Sequence, residues 1–552
     1  MFTVLLPLIL AFAGCLPHSS VAATPISPSS LEMLVIQEGG RKKPYIVFAE
    51  ETLRSLSGKT TLTIGGTPLG AMDIVTGIWM DPSEAWKQLP LILISNRPLK
   101  QQTGLDPIQK LFTYDELSGN QVLLKEISSA AEARRRDPRT KLKGVEKEAS
   151  DIGLRLGLFE SLINGEDFRI LAPAEGTDWK SLQMGDQAEN IENSPGNSAA
   201  LDIAEKMHEA WVSENQADFD DAAQKLIKLQ TSLGGLPDHW KLSLEVLYQK
   251  IHPFRWAWVL YATSGIILLA VRGPWGKTGY RLGWLLAGSG FLLQATGLAS
   301  RVLIAGRPPV TNMYESVIWV AFGTILFALI FEMIYRAGFF LLGAIPVAVA
   351  SMILADSQPM ILDQSLHPLV PVLRDNFWLT THVLTITLSY AAFALSLGVA
   401  HVALARIIGG LKPSPAIYNY LYKTLQVGVL LLATGTILGG VWANYSWGRF
   451  WDWDPKETWA LTALLGYLFL LHGRLSGLWG GFGLAVGSVI AFQSVLMAWY
   501  GVNFVLGVGL HSYGFGTGGF PLVATFVGCE ILFLIAAVIR RRNKPPRQPV
   551  EA

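Results

Sequence analysis

Apolar runs of bilayer length recur through the second half of the chain, and they constrain its fold more than any other feature. A helix rises by ~1.5 Å per residue, so roughly 20 mainly apolar residues cross the hydrocarbon core of a membrane. Such runs occupy about 256–271, 283–300, 314–334, 338–354, 380–405, 424–442, 459–473, 484–500 and 521–539. The pattern predicts a polytopic α-helical membrane protein with about nine transmembrane helices.

Charged residues divide the chain at the point where these runs begin. The net charge of +1 conceals 25 Lys and Arg against 33 Asp and Glu in residues 1–254, and 19 against 10 in residues 255–552. Dense charge predicts a water-soluble domain at 24–254, and sparse charge predicts a membrane domain at 255–552. A nucleic-acid-binding protein is excluded, because no basic stripe lies outside the edges of the membrane domain.

The N-terminal segment has the pattern of a targeting signal. Residues 4–14 are apolar and precede Ala22-Ala23, although no Lys or Arg comes before them. A signal peptide or signal anchor at 1–23 would place residues 24–254 outside the cytoplasm. Cys15 stands where a lipoprotein signal carries its modified cysteine, but Phe12 fits that pattern poorly. We therefore favour Cys15 as part of the apolar segment.

Residues 24–254 have a mixed α/β, mainly helical pattern. The apolar runs at 45–48 and 91–94 predict strands, and 119–150 and 200–231 predict helices. Gly39-Gly40 predicts a turn, but no Gly-Lys-Ser/Thr follows to make it a phosphate-binding loop. His208 and His239 are isolated in the sequence, so they predict no catalytic constellation.

Basic residues at the ends of the predicted helices indicate the orientation of the membrane domain. With residues 24–254 outside, thirteen Lys and Arg fall in inner segments and six in outer segments. This excess satisfies the positive-inside rule. It predicts that the connection at 443–458 lies on the outer side, together with the soluble domain.

That outer connection is rich in tryptophan. The stretch WANYSWGRFWDWDPKETW (442–459) holds five, whereas an interfacial aromatic belt accounts for one or two at a helix end. Clustered indole faces suit a large, flat, partly apolar ligand. The loop residues without a structural explanation are Trp447, Arg449, Trp451, Asp452 and Trp453.

The end of the same stretch has the pattern of a helix start. Asp454, Pro455 and Glu457 match the N-cap, N1 and N3 positions of a capping box. Asn312 and Glu315 have the same spacing at the start of the third predicted transmembrane helix. We therefore interpret Asp454 and Glu457 first as helix-starting groups.

Three histidines of the membrane domain are candidate ligands. His382 lies at the outer end of the fifth predicted helix, and His511 lies in the outer loop before the ninth. Two neutral imidazoles in one compartment suit bis-axial ligation of haem iron, with the tryptophans as walls. His472 lies roughly 20 Å below Trp459 along its helix. It is either a functional intramembrane group or an inner-interface residue near Arg474, with equal weight.

Several segments together resemble one protein family, and the tryptophan-rich stretch is the most specific of them. They are WANYSWGRFWDWDPKETWAL, LLGYLFLLHGR, GRPPVTNMYESVIW, LHPLVPVLRDNFWLTTHVLTITLSYAA and GVNFVLGVGLHSYG. This part of the chain, about 300–515, resembles the CcsA/ResC proteins of system II cytochrome c assembly. The haem-handling proteins of system I share a looser motif, and the unbroken WDPKETW favours the CcsA type.

The resemblance implies specific roles for these residues. His382 and His511 match two external ligands of haem iron, and His472 matches a transmembrane one. The resemblance implies a catalytic role for the loop residues Trp447, Trp451, Asp452, Trp453 and Asp454. It implies a haem-binding role for Trp447, Trp451, Trp453 and Arg449. Arg449 and Lys456 are candidates to pair with the haem propionates. His367 matches no family histidine, although it could compete for the outer site. A CcsB-type partner normally supplies a second transmembrane ligand. His401 on the fifth helix could substitute for it, although a lone helix histidine is the favoured interpretation.

The implied function is cytochrome c biogenesis in a bacterial cytoplasmic (inner) membrane. A cytochrome c synthase of haem lyase type would hold b-type haem on the extracytoplasmic side. It would promote thioether attachment to Cys-x-x-Cys-His of an apocytochrome c, either alone or only together with the CcsB-type partner. The chain has only Cys15 and Cys529 and no such motif, which fits a protein that modifies others. The alternative is a haem transporter or chaperone without ligase activity. The role of residues 24–254 is open, since a minimal CcsA lacks them.

Overall fold

A computed structural model describes most of the chain. Its described residues are 26–81, 84–137, 142, 144–172, 178–182, 195–270, 276–359, 361–369, 375–507, 509, 511 and 518–543. The chain forms two compact units, Met1–Gln249 and Lys250–Ala552. The expected signal segment at 1–23, with Cys15, lies outside the described residues.

In the described part of the first unit, the strands form four two-stranded antiparallel pairs. They are β1 (Val35–Glu38) with β2 (Arg41–Pro44), β3 (Thr61–Ile64) with β4 (Thr67–Gly70), β5 (Ile92–Leu93) with β6 (Leu111–Phe112), and β7 (Arg169–Leu171) with β8 (Lys180–Ser181). Gly39 and Gly40, with φ of 57° and 76°, make the two-residue turn between β1 and β2. Only glycine adopts such angles freely, so this pair is a hairpin turn.

Nine helices complete the described part of this unit, which confirms a mainly helical mixed fold. They are α1 (Tyr45–Ser57), α2 (Ala71–Met80), α3 (Arg97–Thr103), α4 (Tyr114–Ser118), α5 (Gln121–Arg136), α6 (Val145–Ile163), α7 (Pro195–Val212), α8 (Gln216–Leu233) and α9 (His239–Ile251). The pattern at 200–231 belongs to two helices, because Asn215 caps the start of α8 with its side chain.

The strand predicted at 45–48 is wrong, because Tyr45 begins helix α1. Tyr45, Phe48, Leu53 and Leu56 are fully buried, and their spacings of three, five and three residues place them on one face of a helix. Four apolar residues alone did not distinguish a buried helical turn from a strand. The strand predicted at 91–94 is confirmed by β5.

A single buried glutamine connects distant parts of this unit. The Gln230 side chain on α8 donates to the carbonyl oxygens of Val35 (2.7 Å) and Ile170 (2.9 Å). Its own oxygen accepts from the backbone N–H of Val35 at 2.9 Å. The side chain thereby satisfies buried backbone groups of β1 and β7, which the short strands do not pair.

The second unit consists of helices in its described residues. They are α10 (Pro253–Ala270), α11 (Gly276–Ala305), α12 (Met313–Tyr335), α13 (Phe339–Ser357), α14 (Asn376–Trp378), α15 (Leu384–Ile408), α16 (Pro415–Trp447), α17 (Pro455–Leu475), α18 (Gly481–Leu496) and α19 (Phe520–Arg542). Two π-helical segments, Leu379–Val383 and Met497–Leu506, precede α15 and follow α18.

Among the described residues, eight helical stretches are long and apolar enough to cross a membrane, which confirms a polytopic membrane protein. They are His239–Ala270, Gly276–Ala305, Met313–Tyr335, Phe339–Ser357, Asn376–Ile408, Pro415–Trp447, Gly481–Leu506 and Phe520–Arg542. The seventh predicted span is the 21-residue helix α17, which is not among the eight. Its first turn carries Lys456 and Glu457, and its last turn carries His472 and Arg474, so the apolar part is short.

Helix α15 is the centre of the second unit. Most of its side chains are buried, and Gly398 lies directly against the backbone of Gly343 on α13. On another face, the ring of Phe393 stacks on that of Tyr467 from α17, with centroids 3.7 Å apart and planes 1° apart. These contacts fix α15 beside α17, and residues near the N-terminal ends of both helices line one cavity.

Candidate functional site

A cavity lies where several helix ends of the second unit meet. It has about 1120 Å³ of space, including open solvent at its mouth, and is bordered by the π segment before α15, the end of α16, the start of α17 and the π segment after α18. Its walls include five aromatic rings, those of Tyr390, Trp442, Phe450, Trp451 and Trp499. Of the histidines that the structure describes, only His382 and His511 line it.

His382 is held by helix α16. Its Nδ1 donates to the carbonyl oxygen of Gly435 at 2.8 Å, and its ring lies 5.6 Å from that of Trp442. A carbonyl can only accept, so the proton is on Nδ1 and the lone pair on Nε2. The residue belongs to the π segment, a rare helical form that is often found at functional sites.

His511 is held by a carboxylate. Its Nδ1 lies 3.0 Å from Oδ1 of Asp454, whose side chain is only 2% exposed, and its ring meets the edge of Trp447 at 5.3 Å. A histidine that donates Nδ1–H to a carboxylate presents Nε2 to a metal, and the carboxylate raises its basicity. His382 and His511 therefore have the same tautomer and different acceptors.

Asp454 also starts helix α17, as the sequence predicted. Its Oδ1 accepts from the N–H of Lys456 at 2.8 Å. Glu457 accepts through one oxygen from the N–H groups of Asp454 (3.2 Å) and Asp452 (2.9 Å). The capping box is confirmed. The hydrogen bond to His511 is an addition that no local sequence pattern indicates.

The remaining residues of the tryptophan-rich loop have different surroundings. Trp451 lines the cavity, and Trp447 contacts His511. Trp453 is 70% exposed with φ of 56°, and its ring meets that of Trp451 edge-on at 5.9 Å. Arg449 forms an ion pair with Asp452. The described residues that line the cavity do not include Trp447, Arg449, Asp452 or Trp453.

Sequence reasoning missed several lining residues. Trp442 belongs to the quoted motif but was not assigned a role, and Tyr390, Phe450 and Trp499 were not singled out. Trp499 donates its indole N–H to the hydroxyl of Ser316 at 2.9 Å, which fixes its ring. The excess of aromatic residues in the motif was the available signal. It did not show which rings face inward.

A buried ion pair supports one edge of the cavity. Arg301 and Glu315 are each 2% exposed, and Arg301 Nη2 lies 2.8 Å from Glu315 Oε1. Glu315 Oε2 accepts from the Thr311 N–H (2.9 Å) and hydroxyl (2.6 Å). The expected capping box at Asn312 is therefore only half formed. Asn312 caps α12, but Glu315 bonds the residue before it and Arg301.

The other candidate histidines lie elsewhere. His472 is exposed in the last turn of α17, 18 residues or ~27 Å beyond Asp454 along the helix. On α15, His401 donates Nδ1–H to Leu397, and its Nε2 lies 3.0 Å from a Glu530 carboxylate oxygen. Both ring nitrogens of His401 thus have partners, which does not suit an iron ligand. His367 pairs with Asp363 at 2.8 Å on an exposed segment.

The residues that line the cavity fall within the part of the chain that matches a known protein family. The family model described as "Cytochrome C assembly protein" matches residues 310–511, from one wall of the cavity to His511. A cytochrome c biogenesis protein CcsA of Prochlorococcus marinus (strain CCMP1986) is 36% identical over 264 residues, which is 42% of this chain and 82% of the relative. This chain belongs to the CcsA-type cytochrome c assembly family. It is therefore a multi-pass membrane protein of a cytochrome c assembly family.

Two further relatives differ in how much of each chain they share. CcsA of Guillardia theta is 34% identical over 246 residues, 39% of this CcsA-type chain and 80% of the relative. Protein NrfI of Wolinella succinogenes is 29% identical over 544 residues, 91% of this chain. The chain spans only 56% of the length of NrfI.

Proposed function

We propose that this protein binds haem as its substrate in the cavity, with His382 and His511 as the two iron ligands. One observation carries the proposal: the two histidines stand on different elements, line one aromatic cavity, and each has Nδ1 held by an acceptor. This orientation directs Nε2 of both rings to a metal. A flat macrocycle matches indole and phenyl walls, and bis-histidine ligation limits reaction of the iron with oxygen.

Lys456 is the basic residue that we assign to a haem propionate. It lines the cavity, whereas Arg449 is already paired with Asp452. Trp451, Trp442 and Phe450 orient the ring by contact. Trp447 and Asp454 act through His511, and Trp453 and Asp452 shape the loop. These roles refine the catalytic assignments expected from the sequence.

The proposed reaction is a haem lyase step. The histidine of an apocytochrome Cys-x-x-Cys-His segment replaces one of the two protein ligands. Each cysteine thiol then adds across a haem vinyl group: sulfur bonds the inner vinyl carbon, and the thiol proton ends on the outer one. Electrons and atoms balance without an oxidant or reductant. Positioning supplies much of the rate, because the reacting groups are held together.

Location and partners follow the same proposal. The basic residues favour an extracytoplasmic face for the cavity and for residues 24–254, in a bacterial inner membrane. Haem enters from the cytoplasmic side by way of His472, with a CcsB-type partner supplying the second ligand there. His401 is not proposed for that role, because it already contacts Glu530.

Absorption spectra of the purified full-length protein test the ligands. Wild type should carry b-type haem with a six-coordinate low-spin spectrum. His382→Ala and His511→Ala should lose most of the haem or become high-spin, and added imidazole should restore the low-spin form. His367→Ala is the matched control, since that histidine lies outside the cavity. Unchanged spectra in both the His382 and the His511 variants would disprove the assignment of these residues as iron ligands.

Co-expression with an apocytochrome c tests the chemistry. A synthase gives haem that stays with the cytochrome after acid–acetone extraction, in amounts that fall in both histidine variants. Haem that is bound by the membrane protein but never becomes covalent, with a CcsB-type partner present, would instead indicate a transporter or chaperone.

A further inference from the structure

We propose that Asp454 is a positioning residue for haem, whose carboxylate makes His511 the stronger of the two iron ligands. This inference rests on the proposed function, because it concerns the same pair of ligands. The starting observation is an asymmetry. His511 donates to a carboxylate at 3.0 Å, whereas His382 donates to the neutral backbone carbonyl of Gly435 at 2.8 Å.

The carboxylate is placed where its charge acts strongly. The Asp454 side chain is 2% exposed and that of His511 is 20% exposed, so solvent screens their interaction weakly. The N-terminal end of α17 holds the carboxylate in place, since its Oδ1 also accepts from the Lys456 N–H. One side chain thereby caps a helix and orients a ligand.

The backbone of Gly509, two residues before His511, lies against this carboxylate. Gly509 has φ of +97°, and a Cβ there would lie 2.1 Å from Asp454 Oδ2 and 2.9 Å from a ring carbon of Pro455. Only glycine fits both the angle and the space. Gly509, two residues before His511, therefore lies directly against the start of α17, close to the acid that binds the imidazole.

A charged acceptor gives His511 partial imidazolate character, which strengthens its bond to iron and favours the ferric state. His382, with a neutral acceptor, is the weaker donor. His511 anchors the haem, and the two axial bonds are unequal before any apocytochrome binds.

Asp454→Asn tests this directly, because asparagine remains a good N-cap and keeps α17 intact while removing the charge. Loss of such an outer partner weakens metal binding roughly tenfold to a hundredfold. If ferrous affinity is unchanged, the haem midpoint potential rises by about 60–120 mV, at 59 mV per tenfold for one electron. The g-values in the electron paramagnetic resonance spectrum should move toward those of two neutral imidazoles.

Asp375→Asn is the matched control. Asp375 also caps a helix, accepting from the N–H groups of Phe377 and Trp378, and among the described residues it bonds no histidine. Its variant should leave the potential and the g-values as in wild type. Equal shifts in both variants, or none in Asp454→Asn, would overturn the inference. A wild-type spectrum without bis-histidine ligation would instead overturn the proposed function.

A second variant reaches the same carboxylate from the other side. Gly509→Ala leaves Asp454 charged but adds a methyl group where its oxygen lies, so the hydrogen bond to His511 should lengthen. The expected potential shift has the same sign as in Asp454→Asn. A haem-loaded Gly509→Ala protein with the wild-type potential would count against the inference.

Discussion

Gly439 on α16 lies against the imidazole of His382, so closely that a Cβ at this position would be 2.6 Å from its Cε1 and 3.1 Å from its Nδ1. The absence of a side chain on one helix therefore sets the position of a proposed ligand on another. The hydrogen bond from His382 to Gly435, one turn earlier on α16, completes the contact.

Replacing Gly439 with alanine should displace His382 and lower the haem content several-fold. Alanine is favoured over glycine in a helix by about 1 kcal/mol, so α16 itself should persist. The haem-to-protein ratio and the fraction of low-spin haem measure the effect. Gly466→Ala on α17 is the control, since nothing lies within 4 Å of its added Cβ. Equal haem content in the two variants would contradict the expected displacement.

Haem binding should weaken above about pH 8 through Lys456. Burial lowers the pKa of its ammonium to about 8, although the charge of Asp454 opposes the shift. A propionate pairs with the protonated lysine. The contribution of Lys456 to affinity is therefore fully present below pH 8, and affinity falls by up to about tenfold per pH unit above it. Titration of the apoprotein with haem measures this profile. Lys456→Arg should abolish the fall, because guanidinium stays charged. An identical fall in Lys456→Arg would exclude Lys456 as its source.

Breaking the buried Arg301–Glu315 pair should destabilise the second unit. Arg301→Met leaves an uncompensated carboxylate that is 2% exposed, which costs ~3–5 kcal/mol. Thermal unfolding in detergent should occur at a clearly lower temperature. The segment at 310–313 should also lose its anchor, so haem content should fall. Lys206→Ala breaks an exposed pair with Asp202 and should change neither quantity. A wild-type melting temperature in Arg301→Met would refute the assigned role.

Removing the Gln230 side chain should destabilise the first unit. Gln230→Leu leaves the N–H and carbonyl of Val35 and the carbonyl of Ile170 without this partner. Each buried group left unsatisfied costs ~1–3 kcal/mol. Limited proteolysis of the full-length protein should cut residues 26–249 faster than in wild type. Gln102→Ala, an exposed residue bonded to Glu126, should keep the wild-type rate. Equal cleavage rates would show that the Gln230 side chain does not stabilise the first unit.

Local patterns predicted much of the fold because they act over a few residues. Apolar runs located the helices of the second unit, and the Asp-Pro-x-Glu spacing predicted the start of α17. The pattern failed at residues 45–48, where four apolar residues fit a strand and a buried helical turn equally well. The capping-box pattern at Asn312 and Glu315 was only half correct, because the Glu315 carboxylate pairs with Arg301, fourteen positions earlier, and not with Asn312.

The sequence by itself determined a helical membrane half, a charge-rich first half, and a tryptophan motif with histidines on either side of it. Only the tertiary structure decided that His382 and His511 line one cavity, while His472 and His401 do not. It also decided that Asp454, 57 positions before His511, hydrogen-bonds that histidine as well as capping helix α17. Hydrogen bonds between distant residues depend on how buried helices pack, and no local periodicity encodes that packing.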